Sequence, residues 1–239
     1  MYKERSYRTD LAVKDLLSYE VKYETTDLFV MTDKNYSKEI FKEIRSLRND
    51  IINYSKHDEE FLKSLVPVQI KNKAPLIIKR MALASKEAGV GPMASVAGGI
   101  AEFIGRKILP RSKQLVIENG GDIFIKIDHD LIFRVFAGHK SPFEGLRIKI
   151  KRSNMPLGIC TSSGRIGPSL SLGDADAACV ISKDVFLADA CATAAANMVK
   201  KDTDIKKALD YTRSVKGILG AVIIRNEKIG IWGILEIIT

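Results

Sequence analysis

Cysteine, tryptophan and histidine are scarce in this chain, at three, one and three among 239 residues. The cysteines, Cys160, Cys179 and Cys191, are odd in number and lack C-x-x-C spacing, which excludes a disulfide framework and most structural zinc sites. Reduced thiols are expected. No apolar run approaches the roughly 20 residues that span a bilayer, and the start MYKERSYRTD is charged from Lys3 onward, so no secretory segment is read there. A cytoplasmic protein without a membrane partner is the expectation. Aromatic residues make up only 7% of the chain. Basic residues exceed acidic ones by 38 to 29, a net charge of +9, but the excess is dispersed apart from two places. One is the acid-free stretch from Phe61 to Arg80, and the other is the alternating run from Arg147 to Arg152. No aromatic residue interleaves with that run, so it reads as a solvated edge strand whose lysines block unwanted pairing, and nucleic acid is not expected as a partner.

What is present is a chain 46% hydrophobic and 28% charged, rich enough in apolar residues for a sizeable core. No linker or low-complexity segment interrupts it, so a single domain over residues 1–239 is expected. Tyr19 to Thr32 reads as a strand or hairpin interrupted at Thr25-Thr26-Asp27. From Ser37 to Lys56 the apolar residues Ile40, Phe41, Ile44, Leu47, Ile51 and Ile52 recur at helical spacing. That helix could pack internally or across a dimer, so a homo-oligomer stays open. Leu76 to Ala88 reads as a helix stopped by Gly89. Gln114 to Ile127 reads as strand on both sides of an Asn119-Gly120-Gly121-Asp122 turn, and short strands are expected at Leu131 to Phe136, Leu146 to Ile150 and Ala177 to Ile181. Helices over Leu187 to Lys200 and Thr203 to Arg213 precede a terminal hairpin of Ile218 to Arg225 and Lys228 to Ile238. Hairpin-linked strands mixed with helix blocks indicate an α+β fold.

The glycine-rich segments fit neither the P-loop nor the dinucleotide fingerprint. Four small-residue motifs remain: Gly98 to Ala101, Asn119 to Asp122, Thr161 to Gly164 and Ala188 to Thr193. Their glycines could let phosphates touch main-chain N–H groups, and Thr161, Ser162 and Ser163 could add hydroxyl donors. Tight turns and close helix packing would need the same residues. Asp189 and Thr193, four apart on a helix, share one face and would suit a hard cation such as Mg2+, whose coordination is completed by water and ligand phosphate. Asp189 could equally cap the helix while Thr193 packs inside. Cys160 abuts Thr161 to Gly164 and Cys191 sits inside Ala188 to Thr193. Both would approach one cleft, as reactive thiolates or as small apolar fillers. His57, beside acids at a helix end, and His129, in an Asp-His-Asp turn, read as surface residues; His139 falls in a loop near Ser141-Pro142-Phe143.

The motifs Tyr7-Arg8, Thr26-Asp27-Leu28, Gly91-Pro92-Met93-Ala94, Ile117 to Ile123, Ser141-Pro142-Phe143, Cys160 to Gly164 and Ala188 to Asn197, in this order, resemble the ApbE-like superfamily. Its flavin transferases move an FMN group from FAD onto a protein threonine with Mg2+. The similarity covers nearly the whole chain and points to the short cytoplasmic branch of that superfamily. It implies an ApbE-like fold of mixed or antiparallel sheets packed with helices, with two intertwined subdomains left open. It implies Mg2+ held by Asp189, Thr193 and the main-chain carbonyl of Ala101, and a phosphate-bearing ligand such as FAD or FMN lying against Gly98, Gly99, Asn119, Gly120, Gly121, Asp122, Thr161, Ser162, Ser163 and Gly164. Two departures weigh against protein flavinylation. The transferases' lysine after their GGIA motif is Glu102 here, and their histidine has no counterpart between Gly164 and Gly173. The branch occurs in methanogenic archaea, where it is linked to sulfide-dependent homocysteine synthesis, which makes Cys160 and Cys191 alternative catalytic candidates. A non-catalytic ligand- or partner-binding protein is the third expectation.

Overall fold

A computed structural model describes residues 13, 15–138, 141–143, 145–164 and 172–238. The Tyr7-Arg8 motif, His139 and most of the stretch between Gly164 and Gly173 lie outside the described residues. The architecture is α+β in three layers. Eight antiparallel strands form the central sheet, in the order β1 (Leu17–Tyr23), β2 (Thr26–Thr32), β3 (Leu115–Asn119), β4 (Asp122–Lys126), β7 (Leu157–Ser162), β8 (Ala177–Ser182), β9 (Ile218–Arg225) and β10 (Lys228–Gly233). A smaller sheet orders β11 (Glu236–Ile238), β6 (Arg147–Ile150) and β5 (Leu131–Arg134).

Period-two alternation assigns the strand residues to two cores. Leu115, Ile117, Phe124, Ala178, Val180, Ala221 and Ile223 face the helices, whereas Val116, Ile125, Ala177, Cys179, Ile181, Val222 and Ile224 face the small sheet. Burial on both faces explains why these strands read as apolar runs. The helical layer holds α1 (Ser37–His57), α2 (Glu59–Lys63), α3 (Leu76–Ala88), α4 (Val96–Ile108), α5 (Val185–Met198) and α6 (Asp204–Ser214). In α1, Ile40, Ile44, Leu47 and Ile51 are buried, so the helix packs within the chain; Phe41 and Ile52 fall at the margin of that face and stay exposed. Gly89, at φ +72°, terminates α3 in the left-handed conformation expected of it. Among the described residues no helix is long and apolar enough to cross a membrane.

Two expectations need correction. The Arg147 to Arg152 run does not form an edge strand: β6 is the middle strand of its sheet, with Ile148 and Ile150 buried beneath it. Its two lysines are held in ion pairs, Lys149 with Asp130 and Lys151 with Glu236, both at 3.0 Å. The partner strand was concealed because Lys228 to Ile238 reads as one strand. The chain instead leaves the central sheet at Gly233, whose φ of +106° few other residues adopt, and crosses to pair Glu236–Ile238 with β6. The second correction is β7, absent from the sequence reading. Leu157–Ser162 is small and weakly alternating, yet lies centrally between β4 and β8.

Candidate functional site

The site is assembled where α4 and α5 cross over the ends of β3, β4 and β7. Gly98 and Gly99 permit the crossing. A Cβ at Gly98 would stand 2.8 Å from the Val185 carbonyl oxygen and 2.9 Å from Asp189 Cβ, and one at Gly99 would collide with the Phe186 ring. The Gly98 N–H donates to Asp189 Oδ2 at 2.8 Å. Asp189, on α5, thus serves an N-terminal donor of α4, where Ser95 makes no side-chain cap. Asn119 Nδ2 donates to the Ala97 carbonyl at 3.0 Å, tying the end of β3 to the same turn. Gly120 and Gly121, at φ +69° and +107°, make the tight turn to Asp122. Asp122 is the cross-strand partner of Cys160, and Gly121 lies beside the Thr161 carbonyl. The four small-residue motifs therefore converge, as the sequence reading required.

Their main-chain donors, however, are largely engaged within the protein. The N–H groups of Gly98, Gly121 and Gly164 donate to Asp189, Glu118 and the Ala175 carbonyl respectively. Gly98 and Gly99 serve helix packing, and a side chain at Gly164 would meet the Gly173 carbonyl. Oxygen atoms set the chemistry instead. Asp122 and Asp189 are 7% and 8% exposed, and Asp122 Oδ1 has no hydrogen-bond partner. Burial, then the Asp189 charge, pushes the Asp122 carboxyl well above the usual range, against the favourable influence of the Cys160 thiol and the Thr161 main chain. Burial likewise raises Asp189, opposed by the N–H groups of Gly98 and Ala97. Ser162, on the helix-facing side of β7, and Thr193, one turn from Asp189, are half-buried hydroxyls near this pair, whereas the Thr161 hydroxyl turns to the other face of the sheet and meets Cys179. Two carboxylates repel a phosphate, so an anion is accepted here only with a cation between. Ala101 lies inside α4, where its carbonyl belongs to the helical ladder and keeps one lone pair.

Glu102 has a definite role. At 1% exposure, its Oε2 accepts the Val185 N–H at 2.6 Å, the first donor of α5, and its Oε1 accepts from Arg106 Nε at 2.5 Å and Arg80 Nη2 at 3.4 Å. The carboxylate closes the N-terminus of the helix that carries Asp189 and Thr193.

The cysteines are not brought together. Cys160 lies on the floor, its thiol 3.7 Å from the Val185 carbonyl, while Cys191, two residues beyond Asp189, turns to the other side of α5 and meets the Tyr211 hydroxyl at 3.7 Å. All three are buried. Burial pushes Cys179 and Cys191 up to about 12, and burial with the Asp122 and Asp189 charges raises Cys160. The native protein is therefore expected to leave all three thiols unreactive toward an aromatic disulfide reagent at pH 8, with three equivalents released only on denaturation. His129 is an exposed partner of Asp128, and His57 ends α1 at the surface.

A groove of about 630 Å³ lies between α1, α2, the β1–β2 turn and the start of α4. Ile51, Met93, Val96 and Ile100 supply apolar lining, Arg48 and Lys56 supply cations, and Ser55 Oγ is buried without a partner. None of these α1 residues stood out in the sequence, because their spacing served the helix alone. Val96 and Ile100 lie two residues either side of Gly98, so the groove opens on the face of α4 roughly opposite the one that meets Asp189, and neither Asp122 nor Asp189 lines it.

This arrangement defines a class first by its fold. The structure superposes on the apo form of a flavinyl transferase ApbE from Pseudomonas stutzeri with a TM-score of 0.61 at 11% identity, covering 91% of this chain and 94% of that one. An ApbE protein of Thermotoga maritima gives a TM-score of 0.56 at 12% identity, over 91% and 96% of the two chains. The family follows from sequence. A profile described as AbpE bacteria matches residues 9–227. A UPF0280 protein of Methanocella arvoryzae is 36% identical over 87% of this chain and 85% of its own, and one of Methanocaldococcus jannaschii is 37% identical over 88% and 87%. The chain belongs to this family, that of the AbpE bacteria profile and the UPF0280 proteins.

Proposed function

We propose that this protein binds a small phosphate-bearing ligand, a flavin or another nucleotide, through Mg2+ held at the α4–α5 crossing. The observation that carries the reading is the buried pair of carboxylates Asp122 and Asp189, one of whose oxygens, Asp122 Oδ1, has no hydrogen-bond partner. The donor set fits a hard cation: carboxylates and hydroxyls, with an orphaned buried oxygen among them. Asp189 and Thr193 would hold the ion from one face of α5, with Ala101 contributing its carbonyl. When bound, Mg2+ would neutralise the carboxylates and accept phosphate oxygens. The groove has the volume of a small-molecule site, with an even mixture of apolar and polar lining residues. Of its cations, Arg48 is paired with Glu24 at 2.5 Å and Lys63 with Glu59, which leaves Lys56 to attract an anionic ligand. The fold likeness to flavin transferases supports a flavin as first candidate.

Glu102 in the lysine's place gives no support to protein flavinylation, and the buried, neutral thiols of Cys160 and Cys191 give none to sulfur transfer. Equilibrium dialysis against FAD, FMN, ADP and AMP tests the reading. Retention of at least one of them with Mg2+, and its loss with EDTA, is the expected result; retention of none overturns it.

A further inference from the structure

We propose that Asp122 is itself a direct ligand of the divalent cation, which lies between the Asp122 and Asp189 carboxylates; this rests on the cation reading above. The resemblance assigns the metal to Asp189, Thr193 and Ala101, and nothing in it requires Asp122. The geometry does. Asp122 opens β4 opposite Cys160, so its side chain enters the helix-facing side of the sheet, where α5 brings Asp189. Asp122 is 7% exposed, and its Oδ1, closed off from water, has no hydrogen-bond partner. It is the one buried carboxylate oxygen so orphaned among the described residues. Glu102 and Glu118, also buried, both accept main-chain N–H groups. A folded chain rarely leaves such an atom unsatisfied, and an ion or water explains the exceptions.

Asp189 is positioned to share that ion. Its Oδ2 is fixed by the Gly98 N–H, so the carboxylate is oriented before any metal arrives. A monovalent cation would leave the pair with net negative charge, whereas a divalent one balances it. The adjacent Cys160 thiol is a soft donor, poorly matched to Mg2+, and lies within hydrogen-bonding reach of both the Asp122 carboxylate and the Val185 carbonyl. The site is thus a two-carboxylate clamp whose remaining coordination positions fall to water, hydroxyls and a ligand's phosphate.

The test uses Mn2+ alone, which takes the same oxygen ligands, titrated into the full chain while the electron paramagnetic resonance signal of free Mn2+ is followed. Wild type is expected to bind one ion per chain, and Asp122→Asn to bind it at least tenfold more weakly. Because Asp122→Asn removes one of two like charges, its melting temperature without metal should equal or exceed that of wild type. Asp122→Ser provides the same reading if the asparagine variant fails to fold. Wild-type Mn2+ affinity in either folded variant overturns the assignment of Asp122 and leaves the cation reading standing. A wild-type protein that binds no Mn2+ overturns both.

Discussion

Glu102→Lys, which introduces the residue that the sequence resemblance implies for a flavin transferase at this position, is expected to destabilise the protein by about 3–5 kcal/mol and to confer no flavin-transfer activity. Glu102 is buried between Arg80 and Arg106 and accepts the first N–H of α5. Lysine there would remove the acceptor, bury an ammonium and set three cations around a helix N-terminus. Losing the acceptor alone leaves a buried donor unpaired, at about 1–3 kcal/mol. Breaking a buried ion pair raises the total to roughly 3–5 kcal/mol, although Arg80 and Arg106 keep partial access to water. Glu102→Gln preserves an oxygen for Val185 and should lose less. Denaturant unfolding of the three proteins checks the order, and a Glu102→Lys protein as stable as wild type would show that the network is not structural.

Gly99→Val is expected to cost about 1–3 kcal/mol, despite exchanging a glycine in a helix for a better helix former. The propensity gain is under about 1 kcal/mol. Against it stands overpacking of a filled crossing, typically about 1–3 kcal/mol. The Phe186 ring that a Gly99 side chain would strike cannot step aside easily: Phe103 packs edge-on to it at 5.7 Å and the Arg80 guanidinium lies 4.9 Å from its centroid. Phe186→Ala on the same background should recover part of the loss, because it vacates the space. A double-mutant cycle with no such coupling would contradict the packing role assigned to Gly99.

Both predictions concern features only partly legible in the sequence. Periodicity disclosed α1 and α3, and the glycine pair disclosed the β3–β4 turn, because those signals are local. The convergence of the four motifs was also legible through their resemblance, and the Gly98–Asp189 and Asn119–Ala97 hydrogen bonds realise it. What escaped depends on partners far apart in the chain. Glu102 meets Arg80, 22 residues before it, and Val185, 83 residues after it, and no pattern near position 102 announces either. β6 read as an edge because its covering strand, β11, is three residues long and follows a glycine break. The glycine motifs read as phosphate cradles because a free and a bonded N–H are the same in sequence. In the fold three of those donors are engaged, and the two carboxylates become the centre of interest.

That centre is tested most directly by the melting temperature of the purified protein with each flavin or adenine nucleotide, with Mg2+ and with EDTA. Asp189→Asn is the informative control, since its amide oxygen can still accept the Gly98 N–H while the charge is lost. A ligand at a hundredfold excess over its dissociation constant stabilises by about 2.7 kcal/mol. The expected result is an upward shift with a nucleotide and Mg2+ that both EDTA and Asp189→Asn abolish; no shift with any nucleotide, or one that survives both treatments, would contradict a metal-dependent ligand site at Asp189.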